Sequence, residues 1–327
     1  MENVDCALCG DVESHVVLTT TDRLCGAGEA ADGEPGSGSP RPARFTLVRC
    51  RSCGLVYLDP RPTADEIGSY YPDDYTVPHA GESLLTRLEA AYRARQQREV
   101  VDWLAALGPA RGRLLEVGCG AGELLTALRD DSWQACGVEP SARSAAVARD
   151  VHSLEVQTCG FEEADLDEGS HDAVVFASVL EHLPDPVDAL RRARRPLAPG
   201  GLLAVLFLPL FDSPQARLFG RRWLDLDAPR HLYHFEQATF ARAVEETGLR
   251  VVATRAYSRR HSASLWTASS LPGLQKQRLH VVQRRRPAAA AAGKAAYLTV
   301  TTAFRPLARL EALAGLEAQR SYFLKAD

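Results

Sequence analysis

A short glycine-rich segment that follows an apolar run constrains the fold of this chain more than any other feature. Residues 114–125 read Leu-Leu-Glu-Val-Gly-Cys-Gly-Ala-Gly-Glu-Leu-Leu. Glycine adopts left-handed backbone conformations that other residues rarely adopt, so Gly118, Gly120 and Gly122 permit a tight turn between a buried strand and a helix. A strand, a glycine turn and a helix in that order are typical of open α/β sheets.

The pattern around this segment extends the same architecture over most of the chain. Strand-like apolar runs alternate with helical patterns, which predicts parallel strands joined by crossover helices in a doubly wound α/β sheet. The predicted strands are 113–117, 134–138, 154–158, 172–176, 201–207 and 250–256, with a last strand near 320–324. The predicted helices are 84–107, 122–130, 141–149, 186–196 and 236–247. Residues 259–315, helical around 288–313, are then an insertion before the last strand.

The composition predicts a large core and no membrane-spanning segment. Hydrophobic residues make up 46% of the 327 residues, enough for one large domain or two unequal ones. The longest apolar runs, such as 202–211, are about half of the roughly twenty residues that a bilayer requires. Acidic Glu2 and Asp5 lie where a secretory signal carries positive charge. We therefore expect a cytoplasmic protein, in which the cysteines are metal ligands or buried side chains rather than disulfides.

Charge is distributed unevenly along the chain, although the net charge is only -4. Residues 1–80 hold 13 acidic and 6 basic side chains, whereas residues 255–327 hold 3 acidic and 13 basic ones. Such a basic surface attracts a phosphorylated substrate, a carrier protein, nucleic acid or an anionic membrane, and is equally compatible with an ordinary solvated face. The sequence leaves these alternatives open.

Two carboxylates lie close to the glycine turn in the sequence. Glu116 is in the predicted strand, where a core strand ordinarily carries an apolar residue, so it needs a polar partner. Glu139 ends the next strand and is suitably placed to accept hydrogen bonds from both ribose hydroxyls of a nucleoside cofactor. A dinucleotide site is the alternative. However, Glu123 occupies the position of the third glycine in GxGxxG, where a carboxylate would repel a pyrophosphate.

These motifs resemble those of the class I S-adenosylmethionine-dependent methyltransferases over residues 114–249. The glycine turn is similar to that family's first motif, and Glu139 to its ribose-binding acid. Residues 171–186 resemble its fourth-strand region, and residues 197–201 resemble the turn before its fifth strand. The resemblance implies a Rossmann-like fold and S-adenosylmethionine as the cofactor.

The resemblance also implies a set of cofactor-binding residues. Phe161 and Glu162 would lie beside the adenine, and the segment from Ser178 to His182 under the methionine end. The predicted cofactor site consists of Glu116, Gly118, Gly120, Gly122, Glu139, Phe161, Glu162 and Ser178.

Four cysteines in two CxxC pairs predict a metal site near the N-terminus. The pairs are Cys6 with Cys9 and Cys50 with Cys53, and a glycine follows each pair. Each tight turn brings two sulfurs to one face, as a tetrahedral four-cysteine zinc site requires. Four sulfurs leave no open coordination position, so the predicted zinc is structural; a redox role for either pair is the alternative. The Gly/Ser/Pro-rich stretch 26–42 between the pairs is predicted to be a loop.

The run 50–62, followed by Tyr70, Tyr71 and Tyr75, resembles the N-terminal zinc module of methyltransferases from sugar and natural-product pathways. We therefore predict two domains. These are a zinc-ribbon-like module with its linker at 1–78 and a methyltransferase domain at 79–327.

Histidines that follow the fifth strand are the candidate catalytic residues. The segment 231–235, His-Leu-Tyr-His-Phe, is similar to the His-x-x-Tyr-Phe element that carries the base in zinc-bearing sugar methyltransferases, with histidine in place of tyrosine. The resemblance makes His231 the candidate general base, with His234 and His182 as further catalytic candidates. Histidine suits proton removal at neutral pH. The same histidines can instead cap a helix, pack under a lid or brace a loop.

These observations predict methyl transfer from S-adenosylmethionine to oxygen or carbon of a small molecule. The expected acceptor is a sugar or natural-product intermediate, either free or linked to a nucleotide or a carrier. An RNA methyltransferase is one alternative; the basic cluster 284–286 favours it, and the acidic N-terminal module argues against it. A non-catalytic partner-binding protein is another, and the intact glycine turn and Glu139 argue against that.

Overall fold

The protein consists of two compact units that each contain several segments of the chain. The computed structural model describes residues 1–23, 44–71, 84–108, 111–259, 261–275 and 287–326. The first unit comprises Met1–Pro72, Pro209–Thr239 and Ser262–Ala318. The second comprises Asp73–Leu208, Phe240–His261 and Gln319–Asp327.

Strands and helices alternate through the middle of the chain. The strands are β1 (Ser14–Thr20), β2 (Phe45–Cys50), β3 (Val56–Leu58), β4 (Arg113–Val117), β5 (Gln134–Val138), β6 (Glu155–Gln157), β7 (His171–Ala177), β8 (Leu197–Pro209), β9 (Tyr233–His234), β10 (Leu249–Arg255) and β11 (Gln319–Ala326). The helices are α1 (Ala64–Ile67), α2 (Leu84–Leu107), α3 (Glu123–Asp130), α4 (Ala142–Asp150), α5 (Pro186–Arg194), α6 (Pro214–Phe219), α7 (Gln237–Glu245), α8 (Ser262–Ser270) and α9 (Pro287–Leu313).

The second unit is built on a seven-stranded sheet in the order β10-β11-β8-β7-β4-β5-β6. The pairs β4–β5, β4–β7, β5–β6 and β7–β8 are all parallel. From β4, the chain builds the sheet first to one side and then to the other. The predicted doubly wound sheet is confirmed, and the carboxyl end of β4 lies at the topological switch point, where ligands bind in such sheets.

The middle strands of this sheet are apolar on both faces. Val174 and Val175 in β7, and Leu203 and Ala204 in β8, are all fully buried. A parallel sheet covered by helices on both faces requires this continuous apolar pattern rather than alternation. The predicted last strand is also confirmed, because β11 pairs antiparallel with β10, with Leu249 opposite Ala326.

The first unit contains an antiparallel sheet in the order β1-β2-β3-β9. In β9, Tyr233 pairs with Tyr57 and His234 pairs with Val56 of β3. Neither β3 nor β9 was expected, because strands of three and two residues are too short to show a hydrophobic period.

The predicted boundary at residue 78 and the predicted loop at 26–42 lie outside the described residues. Within the described residues, the first unit also includes 209–239 and much of 262–318, which the sequence prediction assigned to the methyltransferase domain. Those segments bring β9, α6, α8 and α9 into the same unit as the cysteine pairs.

Helices α8 and α9 pack against each other in the first unit. The rings of Trp266 and Phe304 stack with centroids 5.7 Å apart, and the hydroxyls of Thr267 and Thr301 lie 3.0 Å apart. The predicted helix around 288–313 is therefore confirmed as α9. Among the described residues, no helix combines the length and apolar character needed to cross a membrane.

Candidate functional site

The glycine turn after β4 is left-handed at all three glycines. The φ angle is +67° at Gly118, +55° at Gly120 and +82° at Gly122. The N–H groups of Gly118 and Cys119 donate to the carbonyl of Val138 over 2.8 and 3.2 Å. The turn is therefore fixed against the end of β5.

Packing within the protein also disfavours a side chain at two of these glycines. A β-carbon at Gly118 would lie 2.7 Å from a methyl carbon of Val179, and one at Gly122 would lie 2.4 Å from a methyl carbon of Leu154. Both distances are far below van der Waals contact. The glycine pattern predicts the turn. It does not predict the crowding by Val179 and Leu154, because those side chains come from other segments of the chain.

Glu139 follows β5 directly and reaches back to the glycine turn. One carboxylate oxygen accepts a hydrogen bond from the N–H of Gly120 and the other from that of Ser141, both at 2.9 Å. Burial raises the pKa of Glu139, and the two backbone hydrogen bonds oppose that shift. Each carboxylate oxygen can accept a second hydrogen bond, so the group can bind both hydroxyls of a ribose.

The other predicted cofactor residues on the second unit occupy varied environments. Phe161 is buried, with its ring edge-on to Phe176 at 5.5 Å, whereas Glu162 on the same 3₁₀ turn is exposed. Glu116 is buried within β4. His182 is partly exposed at the end of a 3₁₀ turn.

Ser178, directly after β7, has an unusual backbone conformation. Its φ is +57°, a left-handed value that non-glycine residues seldom adopt. Its N–H donates to the carbonyl of Leu206 at 3.0 Å, which fixes the residue against β8. Strain of this kind clusters at functional sites, and no sequence pattern indicates it.

The groups beyond the carboxyl ends of β4, β5 and β7 suit S-adenosylmethionine. They provide a carboxylate for ribose hydroxyls and a bare glycine turn, and Phe161 follows β6 at the same edge of the sheet. Glu123 occupies the first turn of α3, where a pyrophosphate would meet a like charge. The donor set therefore fits a nucleoside cofactor without phosphate and does not fit a dinucleotide.

In the first unit, the structure brings the four predicted metal ligands together. Sγ of Cys6 lies 3.4 Å from Sγ of Cys53, and Sγ of Cys9 lies 3.5 Å from Sγ of Cys50. All four sulfurs lie within 4.8 Å of one another. Zn–S bonds of about 2.3 Å in a tetrahedron place sulfurs roughly 3.8 Å apart, so the cluster fits a zinc ion.

The two CxxC turns have the same local geometry. The N–H of Gly10 donates to the carbonyl of Cys6 at 2.7 Å, and the N–H of Gly54 donates to that of Cys50 at 3.1 Å. Both glycines are left-handed, with φ of +71° and +81°. The glycine after each pair therefore closes the turn that brings its two sulfurs to one side.

His231 is buried, and its Nδ1 is held by a backbone carbonyl. Its Nδ1 lies 2.7 Å from the backbone carbonyl oxygen of Asp225. A carbonyl only accepts, so Nδ1 carries the proton and Nε2 is the unprotonated nitrogen of the neutral ring. Burial lowers the pKa of His231 to about 4, so the ring is neutral at pH 7.

His234 lies near His231, with ring centroids 6.3 Å apart. Burial lowers its pKa to about 3. In the part of the chain that the structure describes, no hydrogen-bond partner reaches either of its ring nitrogens or the indole N–H of buried Trp223. The ring of Phe211 contacts both, with centroids 5.6 Å from His234 and 6.2 Å from Trp223. Buried polar groups without partners in native proteins call for an explanation, and a bound ligand or ordered water provides one.

A buried arginine that sequence reasoning missed fixes the segment before His231. Arg230 is fully buried and pairs with Asp227 at 2.7 Å and Asp22 at 2.9 Å. It also donates to the carbonyl of Tyr70 at 2.9 Å. The three-residue spacing of Asp227 and Arg230 could have indicated their ion pair. The ion pair with Asp22 could not be predicted, because Asp22 is about two hundred residues away in the chain.

A family model described as a methyltransferase domain matches residues 91–254, half of the chain. A ubiquinone biosynthesis O-methyltransferase from Alkalilimnicola ehrlichii is 34% identical over 149 residues, which are 42% of this chain and 59% of that protein. A protein of the same name from Albidiferax ferrireducens is 28% identical over 179 residues, covering 48% of this chain and 70% of the relative. The chain thus spans only part of the relatives it matches.

Among solved structures, a putative sarcosine dimethylglycine methyltransferase from Galdieria sulphuraria is similar, with a TM-score of 0.47 and 14% identity over 78% of this chain and 90% of that one. The glycine turn, the position of Glu139 and the parallel sheet agree with the family match. The chain therefore belongs to the methyltransferase-domain family.

Proposed function

We propose that this enzyme transfers the methyl group of S-adenosylmethionine to a hydroxyl oxygen of a small molecule, with His231 as the general base. The observation that carries the proposal is the hydrogen bond from His231 Nδ1 to the carbonyl of Asp225. It fixes the tautomer in which Nε2 can take a proton. Such an orienting hydrogen bond is what a histidine base requires.

The residues of the second unit bind the cofactor in this proposal. S-adenosylmethionine supplies a methyl group on a sulfonium, which reacts with a nucleophile placed in line with the breaking bond. Glu139 binds the ribose hydroxyls, and the glycine turn approaches the nucleoside closely. Ser178 and His182 face the methionine end. Holding the donor in one orientation contributes to the rate by proximity.

Oxygen is the favoured acceptor atom for two reasons. The relatives with the matching segment are named O-methyltransferases. In addition, a hydroxyl must lose a proton as the methyl group arrives, which gives a neutral histidine a role. A histidine of low pKa is a weak base, so an acidic hydroxyl such as a phenol, with a pKa of about 10, is a better match than a sugar hydroxyl. Natural-product intermediates with phenolic groups are thus the first acceptors to test.

The four cysteines bind a structural zinc ion in this proposal. Four thiolates complete a tetrahedron and leave no position for a substrate. The ion would fix the two CxxC turns and the ends of the β-sheet that they join. We propose that this module and its linker extend to about residue 78.

The test is methyl transfer measured with S-adenosylmethionine and a panel of phenols, nucleotide sugars and carrier-bound acyl groups. We expect an O-methylated product, and a His231→Ala variant that loses at least about a hundredfold in kcat while binding S-adenosylmethionine as the parent does. His152→Asn, a partly exposed histidine of the second unit, is the matched control. A C-methylated product, or full turnover by His231→Ala, would contradict the proposal.

A further inference from the structure

Helix α9 has an apolar surface on its exposed side. Leu307, Leu310 and Leu313 expose 40%, 63% and 85% of their surface. Positions three apart on a helix differ by about 60° in direction, so the three leucines form one arc of about 120°. Leu316, just beyond the helix, is 49% exposed. We call this surface, Leu307, Leu310, Leu313 and Leu316, the leucine face.

The opposite side of α9 packs within the first unit. Tyr297, Thr301 and Ala308 are buried there, and buried Glu311 accepts hydrogen bonds from Gln215 at 2.8 Å and from Trp266 at 2.8 Å. The helix is therefore anchored, and the leucine face is not the side that packs in the core. Exposed apolar patches of this kind, with a charged edge, mark interaction surfaces.

The charges beside the leucine face are positive. Arg305 and Arg309 are exposed and lie along one edge of the arc. Within residues 291–326 the acidic residues are Glu311 and Glu317, and both are buried. Residues 291–326 thus combine exposed leucines with exposed cations and, as described, present no exposed carboxylate.

Leucines beside arginines favour some binding partners of this face over others. In a symmetric dimer the same surface meets itself, which would place arginines near arginines with no exposed carboxylate of this segment to pair with them. An anionic bilayer matches both features, because leucines enter the acyl boundary while arginines contact lipid phosphates. We propose that the leucine face of α9 docks the enzyme on an anionic membrane surface. The docking is peripheral and independent of the proposed methyl-transfer chemistry.

The test is co-sedimentation of the intact protein with vesicles of phosphatidylcholine alone or mixed with phosphatidylglycerol. We expect binding to the mixed vesicles that weakens as salt rises, and little binding to phosphatidylcholine alone. The double variant Leu310→Glu/Leu313→Glu should lose at least about tenfold in partition coefficient. Arg305→Glu/Arg309→Glu should lose a similar factor. Methyl transfer to a dissolved acceptor should be unchanged in both variants.

The matched control is Val151→Glu, which changes an apolar residue of the second unit that is 67% exposed. It should bind vesicles as the parent does. Three results would overturn the proposal: no binding by the parent protein, equal binding by the leucine variant, or a dimeric parent that becomes monomeric in the leucine variant without any vesicle binding. Circular dichroism of each variant checks that it has folded.

Discussion

At the level of single residues, burial sets the protonation state of the two histidines of the segment 231–235. The pKa of His231 is lowered to about 4 mainly by burial, with nearby His234 and Arg230 acting in the same direction and Asp227 opposing them. The hydrogen bond to Asp225 also favours the charged ring but does not compensate. A buried histidine of this kind is a neutral proton acceptor across the physiological range.

The pH dependence of catalysis follows from this state. We expect the acid limb of kcat to lie near pH 4 to 5 rather than near the ordinary histidine value of about 6.5. The measurement is single-turnover methyl transfer across that range, with circular dichroism at each pH to confirm that the protein remains folded. A limb near pH 6.5 that disappears in His182→Asn would instead indicate that His182 is the base.

Glu139 gives a separate prediction for the cofactor. Glu139→Gln keeps the size of the side chain but removes the charge and one acceptor, so S-adenosylmethionine affinity should fall at least about tenfold, or about 1.4 kcal/mol. Calorimetric titration with the cofactor measures this. Glu155→Gln, which changes an exposed acid on neighbouring β6, should bind as the parent does. Unchanged affinity in Glu139→Gln would remove Glu139 from the site.

The glycine turn and Glu139 could be placed from the sequence because a short local pattern defines them. The contacts of Arg230 and the strained φ of Ser178 could not, since both depend on segments distant in the sequence. The same reason applies to the partners of Gly118 and Gly122. Local patterns determine where a site lies, whereas the packing that constrains it comes from the fold.

At the level of elements, the cysteine pairs are connected to the histidine segment through backbone pairing. Cys50 ends β2, β2 pairs with β3, and β3 pairs with β9, which contains His234. The N–H of Leu58 also donates to the carbonyl of Leu232 at 2.9 Å. A zinc ion that fixes the CxxC turns would therefore also stabilise the position of His231 and His234.

Removal of one metal ligand should affect the position of the two histidines without affecting cofactor binding. Cys50→Ser should release zinc, lower the melting temperature and reduce kcat at least about tenfold, while S-adenosylmethionine still binds to the second unit. Metal analysis, calorimetry and turnover on one preparation measure the three effects. Cys159→Ser, at a partly exposed cysteine outside the cluster, is the control. If the variant without zinc kept its turnover, zinc would not be needed to hold His231 and His234 in position.

The long elements of the chain were predictable because their hydrophobic period repeats over several turns or residues. Strands β4 and β5 have the predicted bounds, and β8 is longer than the predicted 201–207, with four more residues at its start and two more at its end. β3 and β9 could not be predicted, since strands of three and two residues show no hydrophobic period and their mutual pairing joins segments nearly 180 residues apart.

At the level of the whole molecule, the buried histidines couple stability to pH. In the unfolded chain they take up protons near pH 6.5, whereas in the folded protein His231 does so near 4 and His234 near 3. Because the folded pKa values are depressed, unfolding takes up protons below pH 6.5. The free energy of unfolding should therefore fall with falling pH, by up to about 1.4 kcal/mol per pH unit for each histidine.

Urea unfolding at several pH values between 7.5 and 5 measures this slope. His234→Phe should make it shallower by up to about 1.4 kcal/mol per pH unit, whereas His152→Asn should leave it unchanged. An identical slope in His234→Phe would show that His234 is charged in the folded protein.

The position of β11 between β10 and β8 has a consequence for biosynthesis. Residues 319–326 form an inner strand of the sheet. The ribosome synthesises them more than a hundred residues after β8. Until they emerge, the nascent chain has a gap beside one of its most apolar strands. Completion of the sheet must therefore await the synthesis of β11, and the half-built sheet is the species that chaperones would have to shield.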